Sequence, residues 1–477
     1  AAKSSTAAHQ CEYAFMDAMI PVLAPAGVQE FLDLGLYGWA MSRFSGCWVG
    51  FKAVGETVDS SASCHVDPLR IQIKLPEDYL LPDGGLNIRW GGALDVLRQE
   101  EYHHRYKLYA ALAFARANKL DKAVIDGPKR RIGLISAGKA YLDLRQALDD
   151  LGIDEKQAQD LGISLYKVAM SWPLEPEGIR EFCEGLDEVL VVEEKRAVIE
   201  NQLKEQLYNW DLNKRPRITG KFDRDYPDQF AAPALPSYGE LSPAKVARAV
   251  GHLLDRAGIS TAKIRQRLEF LDQKENELSH EIAPIARIPH FCSGCPHNTS
   301  TKVPEGSRAL AGIGCHYMVQ WMDRSTQTFT QMGGEGITWV GQAPFTKTKH
   351  VFVNLGDGTY YHSGILAIRQ AVAAEVNATY KILFNDAVAM TGGQPVDGPL
   401  DPMILTRQVA AEGVKRIVVV TDEPDKYPLG AKWAPGVDIE HRDELERVQK
   451  ELRDYPGVTV IIYDQTCAAE KRRRRKR

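Results

Sequence analysis

Residues 351–385 read VFVNLGDGTYYHSGILAIRQAVAAEVNATYKILFN and contain two apolar strand-like segments separated by a helical one. The first strand, Val351–Leu355, runs into Gly356-Asp357-Gly358, and the second, Lys381–Phe384, runs into Asn385. Apolar strands that alternate with helices are typical of a parallel sheet covered on both faces. This stretch therefore predicts an α/β fold whose ligands bind at the carboxyl ends of its strands.

The same alternation extends outward from this stretch. Strands at Arg416–Thr421 and Val458–Tyr463 follow it, and residues 131–207 repeat the pattern of short apolar strands with helices between them. Residues 1–120 mix helical segments with the strand-like Ile71–Leu75. A Pro-rich stretch at 211–243, typical of an extended linker, precedes two amphipathic helices. We therefore predict doubly wound parallel-sheet domains.

Composition and charge argue against a protein that spans membranes or binds nucleic acid. The chain has 477 residues, of which 44% are hydrophobic and 26% charged, and no run approaches the roughly 18 apolar residues needed to cross a bilayer. The last seven residues are all basic although the net charge is −4, so the rest of the chain has a net charge of −11. We therefore expect a cytoplasmic protein that binds neither membranes nor nucleic acid.

The polar residues at the two strand ends suit a magnesium ion. Asp357 and Asn385 each follow a predicted strand directly, so their side chains are expected at the same sheet edge. Magnesium binds carboxylate and amide oxygens together with substrate phosphates. Gly356 and Gly358 allow the backbone to turn tightly against a diphosphate. The alternative is that Asp357 is a turn residue and Asn385 a strand-end cap.

The cysteines form a second constellation. Cys292 and Cys295 form a Cys-x-x-Cys turn, Cys315 follows in a Gly-x-Gly-Cys sequence, and Cys467 lies far downstream. The thiolates of a Cys-x-x-Cys turn can reach one metal centre together. Because the other two cysteines, Cys315 and Cys467, are single and remote in sequence, the pattern favours an iron–sulfur cluster over a zinc ribbon. Zinc bound by two cysteines and histidine remains the alternative.

Three further residues are weaker candidates. Glu335 lies in the Gly-rich stretch Gly333–Trp339, which either approaches a bound diphosphate, with Glu335 assisting proton movement, or forms a mobile surface loop. His297 and His316 lie beside the cysteines and either complete a zinc site, adjust a cluster by hydrogen bonding, or are ordinary solvated side chains.

Both constellations resemble known motifs. A Gly-Asp-Gly followed 27 residues later by Asn is similar to the thiamine-diphosphate motif. By that resemblance Asp357 and Asn385 give side-chain oxygens to magnesium, and Ala387 gives its backbone carbonyl. The loop NDAVAMTGGQ at 385–394, which includes Thr391, and the order of the four cysteines resemble the 2-oxoacid:ferredoxin oxidoreductases.

The resemblance is closer to the long fused indolepyruvate ferredoxin oxidoreductases. It is carried by GLYGWAMSRFSGCWVGF at 35–51, VGETVDSSAS at 54–63 and YDQTCAAEKR at 463–472. It implies an internal piece of a longer enzyme, in which the glutamate that activates the cofactor precedes residue 1. The fold it implies is transketolase-like. The domains are the C-terminal part of a pyrimidine-binding-like domain (1–120), a transketolase-C-terminal-like domain (125–210), a Pro-rich linker with helices (211–286), and a diphosphate-binding domain with the cysteine motif and a basic exit tail (287–477).

The resemblance also implies an activity. Family members decarboxylate a 2-oxoacid oxidatively to acyl-CoA with thiamine diphosphate and Mg²⁺, and a 4Fe–4S cluster passes the electrons to ferredoxin. We expect indolepyruvate or another aryl pyruvate as substrate, coenzyme A as acyl acceptor, and a homodimer of the full-length chain. The alternatives are the same chemistry on pyruvate or branched-chain 2-oxoacids, a non-oxidative thiamine-dependent decarboxylase with structural zinc, and a non-catalytic scaffold. We expect the basic tail at 471–477 to begin an exposed link or to contact an acidic carrier.

Overall fold

A computed structural model of the chain describes residues 9–86, 95–221, 234–280 and 288–476. They divide into two units, residues 1–282 and residues 283–477. No helix within these described ranges is long and apolar enough to cross a bilayer.

The first unit contains eight strands and eleven helices in its described part. The strands are β1 (Val22–Leu23), β2 (Gly50–Phe51), β3 (Lys122–Ile125), β4 (Ile132–Ala137), β5 (Ile163–Val168), β6 (Met170–Trp172), β7 (Glu188–Val192) and β8 (Arg217–Thr219). The helices are α1 (Glu12–Asp17), α2 (Val28–Ser45), α3 (Gly55–Val58), α4 (Asp95–Tyr102), α5 (Leu108–Ala117), α6 (Gly138–Asp150), α7 (Glu155–Leu161), α8 (Pro176–Cys183), α9 (Ile199–Leu207), α10 (Pro243–Arg256) and α11 (Ala262–His280), and a π-helical turn (His103–Lys107) joins α4 to α5.

Two sheets organise this unit. The larger has the order β3-β5-β4-β7-β8, and its strands are parallel except for β3, which is antiparallel to β5. In the smaller sheet, β1 pairs in parallel with β2 and antiparallel with β6.

Helices cover the larger sheet on both faces because successive strand residues point in opposite directions. Leu134 of β4 packs with α6 and α10 on one face, whereas the adjacent Ile135 packs with α8 and α9 on the other. This arrangement confirms the doubly wound α/β fold predicted from the sequence.

One segment differs from its sequence-based prediction. The strand predicted at Ile71–Leu75 is wrong, because the backbone there forms no ladder and the side-chain amide of Asn118 hydrogen-bonds the N–H and C=O groups of Lys74, both at 2.8 Å. The two helices predicted within residues 211–286 are present as α10 and α11, the short strand β8 lies in the stretch predicted as a linker, and residues 222–233 and 281–287 lie outside the described part. Val250 of α10 and Ile264 of α11 are buried in the core that contains Leu134, because both helices present an apolar face to the sheet.

The second unit contains seven strands and seven helices in its described part. The strands are β9 (Ala309–Leu310), β10 (Thr326–Gln327), β11 (Val351–Gly356), β12 (Ala378–Phe384), β13 (Arg416–Thr421), β14 (Asp438–His441) and β15 (Val458–Asp464). The helices are α12 (His297–Ser300), α13 (Ile337–Gln342), α14 (Asp357–Thr359), α15 (Ile365–Ala373), α16 (Pro402–Ala411), α17 (Leu445–Asp454) and α18 (Ala468–Lys476). Shorter turns complete the list: 3₁₀ turns at Cys315–Trp321, Ala343–Phe345, Ala389–Thr391, Pro424–Lys426 and Arg442–Glu444, and a π turn at Tyr360–Gly364.

The seven strands form one sheet in the order β10-β9-β11-β12-β15-β13-β14, and every pairing in it is parallel. Ile382 and Ile462 pack with α15 and α16 on one face, and Leu383 and Ile461 pack with α17 on the other. The sequence therefore predicted β11, β12, β13 and β15 and the helices on both faces correctly, whereas it did not predict the short strands β9, β10 and β14.

Candidate functional site

Four neighbouring strands of the parallel sheet place candidate residues at one edge. β9, β11, β12 and β15 lie side by side in that order. Cys315 follows β9, Asp357 follows β11, Asn385 follows β12 and Cys467 follows β15. Because the carboxyl ends of parallel strands share an edge, residues distant in sequence become neighbours here.

Asp357 is buried at the start of α14, where the helical path begins five residues earlier than the sequence predicts. Its Oδ1 accepts a hydrogen bond from the Gly358 N–H at 2.9 Å. Its Oδ2 accepts hydrogen bonds from the N–H groups of Asn385 (3.0 Å) and Asp386 (3.1 Å). Burial raises the pKa of Asp357 to about 6, although these backbone N–H groups act in the opposite direction. The carboxylate thus ties the end of β11 to the loop after β12.

Asn385 carries an unsatisfied oxygen at this edge. Its side chain is buried, and Oδ1 accepts no hydrogen bond from any described residue. Buried polar atoms are normally paired, so an orphaned acceptor indicates a partner that is not part of the polypeptide. Ala387, two residues on, is also buried, whereas Thr391 lies further out, where its Oγ1 accepts a hydrogen bond from the Gln394 side chain at 2.6 Å.

The two glycines flanking Asp357 face close neighbours. A Cβ at Gly358 would lie 3.1 Å from Cγ2 of Val388, and a Cβ at Gly356 would lie 3.2 Å from Cε1 of His316. Both contacts are tighter than ordinary van der Waals contact. The Gly-Asp-Gly turn therefore packs against the loop after β12 on one side and against the residue after Cys315 on the other.

The four candidate cysteines are neighbours in space. The pKa of the Cys295 thiol is raised to about 11, mainly by burial and in part by the nearby thiols of Cys292, Cys315 and Cys467, although the His297 N–H lowers it. The Cys467 N–H also donates to the carbonyl of Asn385 at 3.0 Å, so the fourth cysteine lies beside the loop after β12. Among the described residues, no group of three or more His, Cys, Asp or Glu side chains is arranged to hold a single metal ion.

His297 and His316 are both buried, which excludes solvated side chains among the alternatives considered for them. Burial lowers the pKa of His297 to about 4 and that of His316 to about 3, which keeps both imidazoles neutral near pH 7. Their ring centroids are 5.6 Å apart. A Cβ at Gly314 would lie 2.8 Å from the His316 ring, which places this imidazole between the Cys315 loop and the Gly356 turn.

Glu335 is 1% exposed, so the mobile surface loop considered for this stretch is wrong for this side chain. Its Oε2 accepts a hydrogen bond from the Gly333 N–H at 2.7 Å, and its Oε1 is buried without a partner among the described residues. Burial raises the pKa of this carboxyl, while the N–H groups of Glu335, Gly333 and Ile313 lower it. Ile313 belongs to the loop that carries Cys315, so Glu335 lies next to that loop.

Sequence patterns missed two features near this edge. Lys381 is buried in β12, and its Nζ donates to the carbonyls of Ser300 (2.7 Å) and Lys302 (3.1 Å). Burial lowers the pKa of Lys381 to about 7. The only sequence signal for these buried hydrogen bonds is a lysine within an apolar strand. The other feature is α18: the tail is expected to be an exposed link, but Arg474 binds Asp386 of the candidate loop.

Two family models match the chain. Residues 121–281 match the indolepyruvate ferredoxin oxidoreductase middle domain. Residues 312–463 match the C-terminal TPP binding domain of thiamine pyrophosphate enzymes. Most of the second unit is therefore similar to a thiamine pyrophosphate-binding domain, and its fold is of the α/β class. With both matches in one chain, the chain is related to the indolepyruvate ferredoxin oxidoreductases, which confirms the resemblance seen in the sequence.

Known proteins agree with this relationship. The indolepyruvate oxidoreductase subunit IorA of Pyrococcus horikoshii is 26% identical over 474 residues, covering 94% of this chain and 66% of the relative. The subunit of the same name from Thermococcus kodakarensis is 27% identical over 363 residues, covering 72% of this chain and 50% of the relative. The chain thus spans less than two thirds of the length of the curated relatives it matches.

A solved structure of 2-oxoglutarate:ferredoxin oxidoreductase from Magnetococcus marinus, with 2-oxoglutarate, coenzyme A and succinyl-CoA bound, is 16% identical to this chain. The match covers 39% of this chain and 69% of that one, with a TM-score of 0.30. A likeness this slight supports no inference about the site.

Proposed function

We propose that this chain supplies the Mg²⁺–thiamine diphosphate site and a 4Fe–4S cluster site of a 2-oxoacid:ferredoxin oxidoreductase. The observation that carries the proposal is the orphaned Oδ1 of Asn385, buried beside the carboxylate of Asp357 at the same sheet edge. The match of residues 312–463 to a thiamine pyrophosphate-binding domain supports the same assignment.

The residues at this edge fit a magnesium ion that carries a diphosphate. Magnesium takes oxygen ligands and binds through one or two protein side chains plus phosphates. Asp357, Asn385 Oδ1 and the Ala387 carbonyl would hold it, and Gly356, Gly358 and Thr391 would lie along the diphosphate. When bound, thiamine diphosphate supplies the carbanion that attacks the keto carbon and the cationic ring that accepts the electrons released with CO₂. The contribution of this chain is to hold and orient the diphosphate end.

The cysteine set fits an iron–sulfur cluster. Cluster ligation takes four thiolates, and Cys292, Cys295, Cys315 and Cys467 are close enough for their charges to interact. When bound, the cluster supplies one-electron transfer. Cys315 follows β9, the neighbour of strand β11 that Asp357 directly follows, so the chain would hold the electron acceptor beside the cofactor-binding loop.

We infer the substrate and partners from the relatives. Relatives named indolepyruvate oxidoreductase favour indolepyruvate or another aryl pyruvate, with pyruvate or branched-chain 2-oxoacids as the alternative. Coenzyme A would accept the acyl group and ferredoxin the electrons. We further propose a cytoplasmic homodimer of the full-length chain, and Glu335 as a candidate for proton transfer.

Metal analysis of the full-length protein tests the cluster. After anaerobic purification we expect iron and acid-labile sulfide together with charge-transfer absorption, and we expect Cys295→Ser to lose them. Cys64→Ser is the matched control, because Cys64 of the first unit is a partly exposed thiol like Cys295. Stoichiometric zinc in place of iron would instead favour the non-oxidative decarboxylase or the scaffold. Decarboxylation of 2-oxoacids without an electron acceptor would then indicate the decarboxylase, and its absence would indicate the scaffold.

A binding measurement tests the magnesium site independently of the cluster. Titration of the full-length protein with thiamine diphosphate is expected to show saturable binding that requires Mg²⁺. Asp357→Ala should abolish that binding, because it removes the carboxylate and releases the loop N–H groups that it holds. Unchanged Mg²⁺-dependent binding by the variant would refute the assignment.

A further inference from the structure

The C-terminal helix α18 lies against the loop that carries the candidate magnesium ligands. The helix begins directly after Cys467, whose N–H donates to the Asn385 carbonyl at 3.0 Å. Three successive arginines then make contacts with other loops of the same unit. Arg472 donates to the carbonyl of Ser293, within the Cys-x-x-Cys turn, at 3.2 Å.

Arg474 holds the residue between two of the candidate ligands. Its guanidinium donates to the carboxylate of Asp386 at 2.5 Å and to the carbonyl of the same residue at 3.0 Å. Asp386 lies between Asn385 and Ala387 and has a φ of +58°, a left-handed conformation that side-chain-bearing residues seldom adopt. Its N–H donates in turn to Oδ2 of Asp357 at 3.1 Å. The unfavourable turn at Asp386 is therefore held from both sides.

Arg473 acts on the other end of the same loop. It donates to the Gly392 carbonyl at 2.9 Å and pairs with Glu470, which is itself buried. A Cβ at Gly393 would lie 2.1 Å from the Glu470 carboxylate, so the loop and α18 approach each other as closely as a glycine allows. Helix α18 therefore contacts both the first and the last residues of the segment 386–393.

We propose that Arg473 and Arg474 are positioning residues for the metal–diphosphate loop. By fixing Asp386 and Gly392 they set the direction of the Asn385 side chain and of the Ala387 carbonyl toward the ion. The inference rests on the proposed magnesium–thiamine diphosphate site, and it adds a role for a helix whose sequence indicates only an exposed basic tail. Both arginines are more than half exposed, so their ion pairs contribute little to global stability. Their effect is expected on ligand affinity.

Conservative variants of the full-length protein test the proposal. Arg474→Gln and Arg473→Gln are expected to raise the Mg²⁺ concentration for half-maximal thiamine diphosphate binding by about tenfold, the lower end of the effect of removing a group that orients a metal ligand. Arg474→Lys should restore only part of the affinity, because an ammonium cannot match the two-point contact of a guanidinium. Arg475→Gln is the matched control, since within the described residues Arg475 makes no recorded hydrogen bond or ion pair and carries the same charge.

Hydrogen–deuterium exchange of the ligand-free protein gives a second readout. Arg474→Gln should speed exchange at residues 386–394 while leaving the thermal midpoint unchanged. Equal affinity and equal exchange in Arg474→Gln and wild type would overturn the proposal, as would an equal loss in Arg475→Gln, which would indicate nonspecific attraction of the anion. If the proposed function itself is wrong, the wild-type protein shows no Mg²⁺-dependent binding at all, which distinguishes the two failures.

Discussion

Replacing Asn385 by Ala should abolish ligand binding without weakening the ligand-free protein. Oδ1 of Asn385 is buried and accepts no hydrogen bond from the described residues. An unsatisfied buried acceptor costs about 1–3 kcal/mol. Its removal offsets the loss of packing that truncation causes, so we expect the free energy of unfolding to stay within about 1 kcal/mol of wild type.

The effect on the bound state should be larger. A ligand present at about 100 times its dissociation constant stabilises the native state by about 2.7 kcal/mol. For a unit the size of residues 283–477, about 1 kcal/mol corresponds to roughly 2–4 °C, so wild type should gain about 5–10 °C with Mg²⁺ and thiamine diphosphate. The Asn385→Ala variant should gain nothing.

Differential scanning calorimetry with and without the ligands measures both quantities. Asn377→Ala is the control for an asparagine whose side-chain oxygen is satisfied, because Oδ1 of the exposed Asn377 accepts a hydrogen bond from the Gly457 N–H at 2.7 Å. That variant should lose ligand-free stability but keep the ligand-induced gain. The reasoning fails if Asn385→Ala unfolds as early as Asn377→Ala and still gains 5 °C or more, roughly the wild-type response.

Three further predictions concern other parts of the chain. A Cβ at Gly312 would lie 2.3 Å from the Asn354 carbonyl oxygen, so Gly312→Ala should displace the Cys315 loop and lower iron content, whereas Gly341→Ala, with nothing within 4 Å, should not. Glu335→Gln should lower turnover of the full-length enzyme by about 100-fold at unchanged thermal midpoint, and unchanged turnover would exclude a role in proton transfer. Burial raises the pKa of Asp121 from 3.8 to about 7, so its ionisation lowers stability progressively as pH rises from about 4 to 7. Asp121→Asn should therefore gain roughly 2–3 kcal/mol relative to wild type between pH 5 and pH 8 in urea unfolding, and a pH-independent difference would contradict this.

Several local features could be predicted from the sequence because short-range patterns encode them. Val351–Leu355 and Arg416–Thr421 are strands, since a run of buried apolar residues has few alternatives in a parallel sheet. An alternating apolar and polar pattern failed at Ile71–Leu75, where the side chain of Asn118 hydrogen-bonds the backbone of Lys74 and no ladder forms. A strand requires a partner, and a single segment does not specify one.

The sequence by itself determined the long strands β11, β12, β13 and β15 of the second unit, the Gly-Asp-Gly turn, the Asn at the end of the next strand and the four cysteines of the motif. The sequence also predicted Asp357 and Asn385 at one sheet edge, whereas only the tertiary structure decided that β9 and β15 flank β11 and β12, which brings Cys315 and Cys467 to the same edge. The tertiary structure also decided that α18 packs on the candidate loop. The physical reason is that strand order and helix docking depend on how all the apolar faces of a domain are buried together, whereas strands and turns depend on interactions between residues close in the chain.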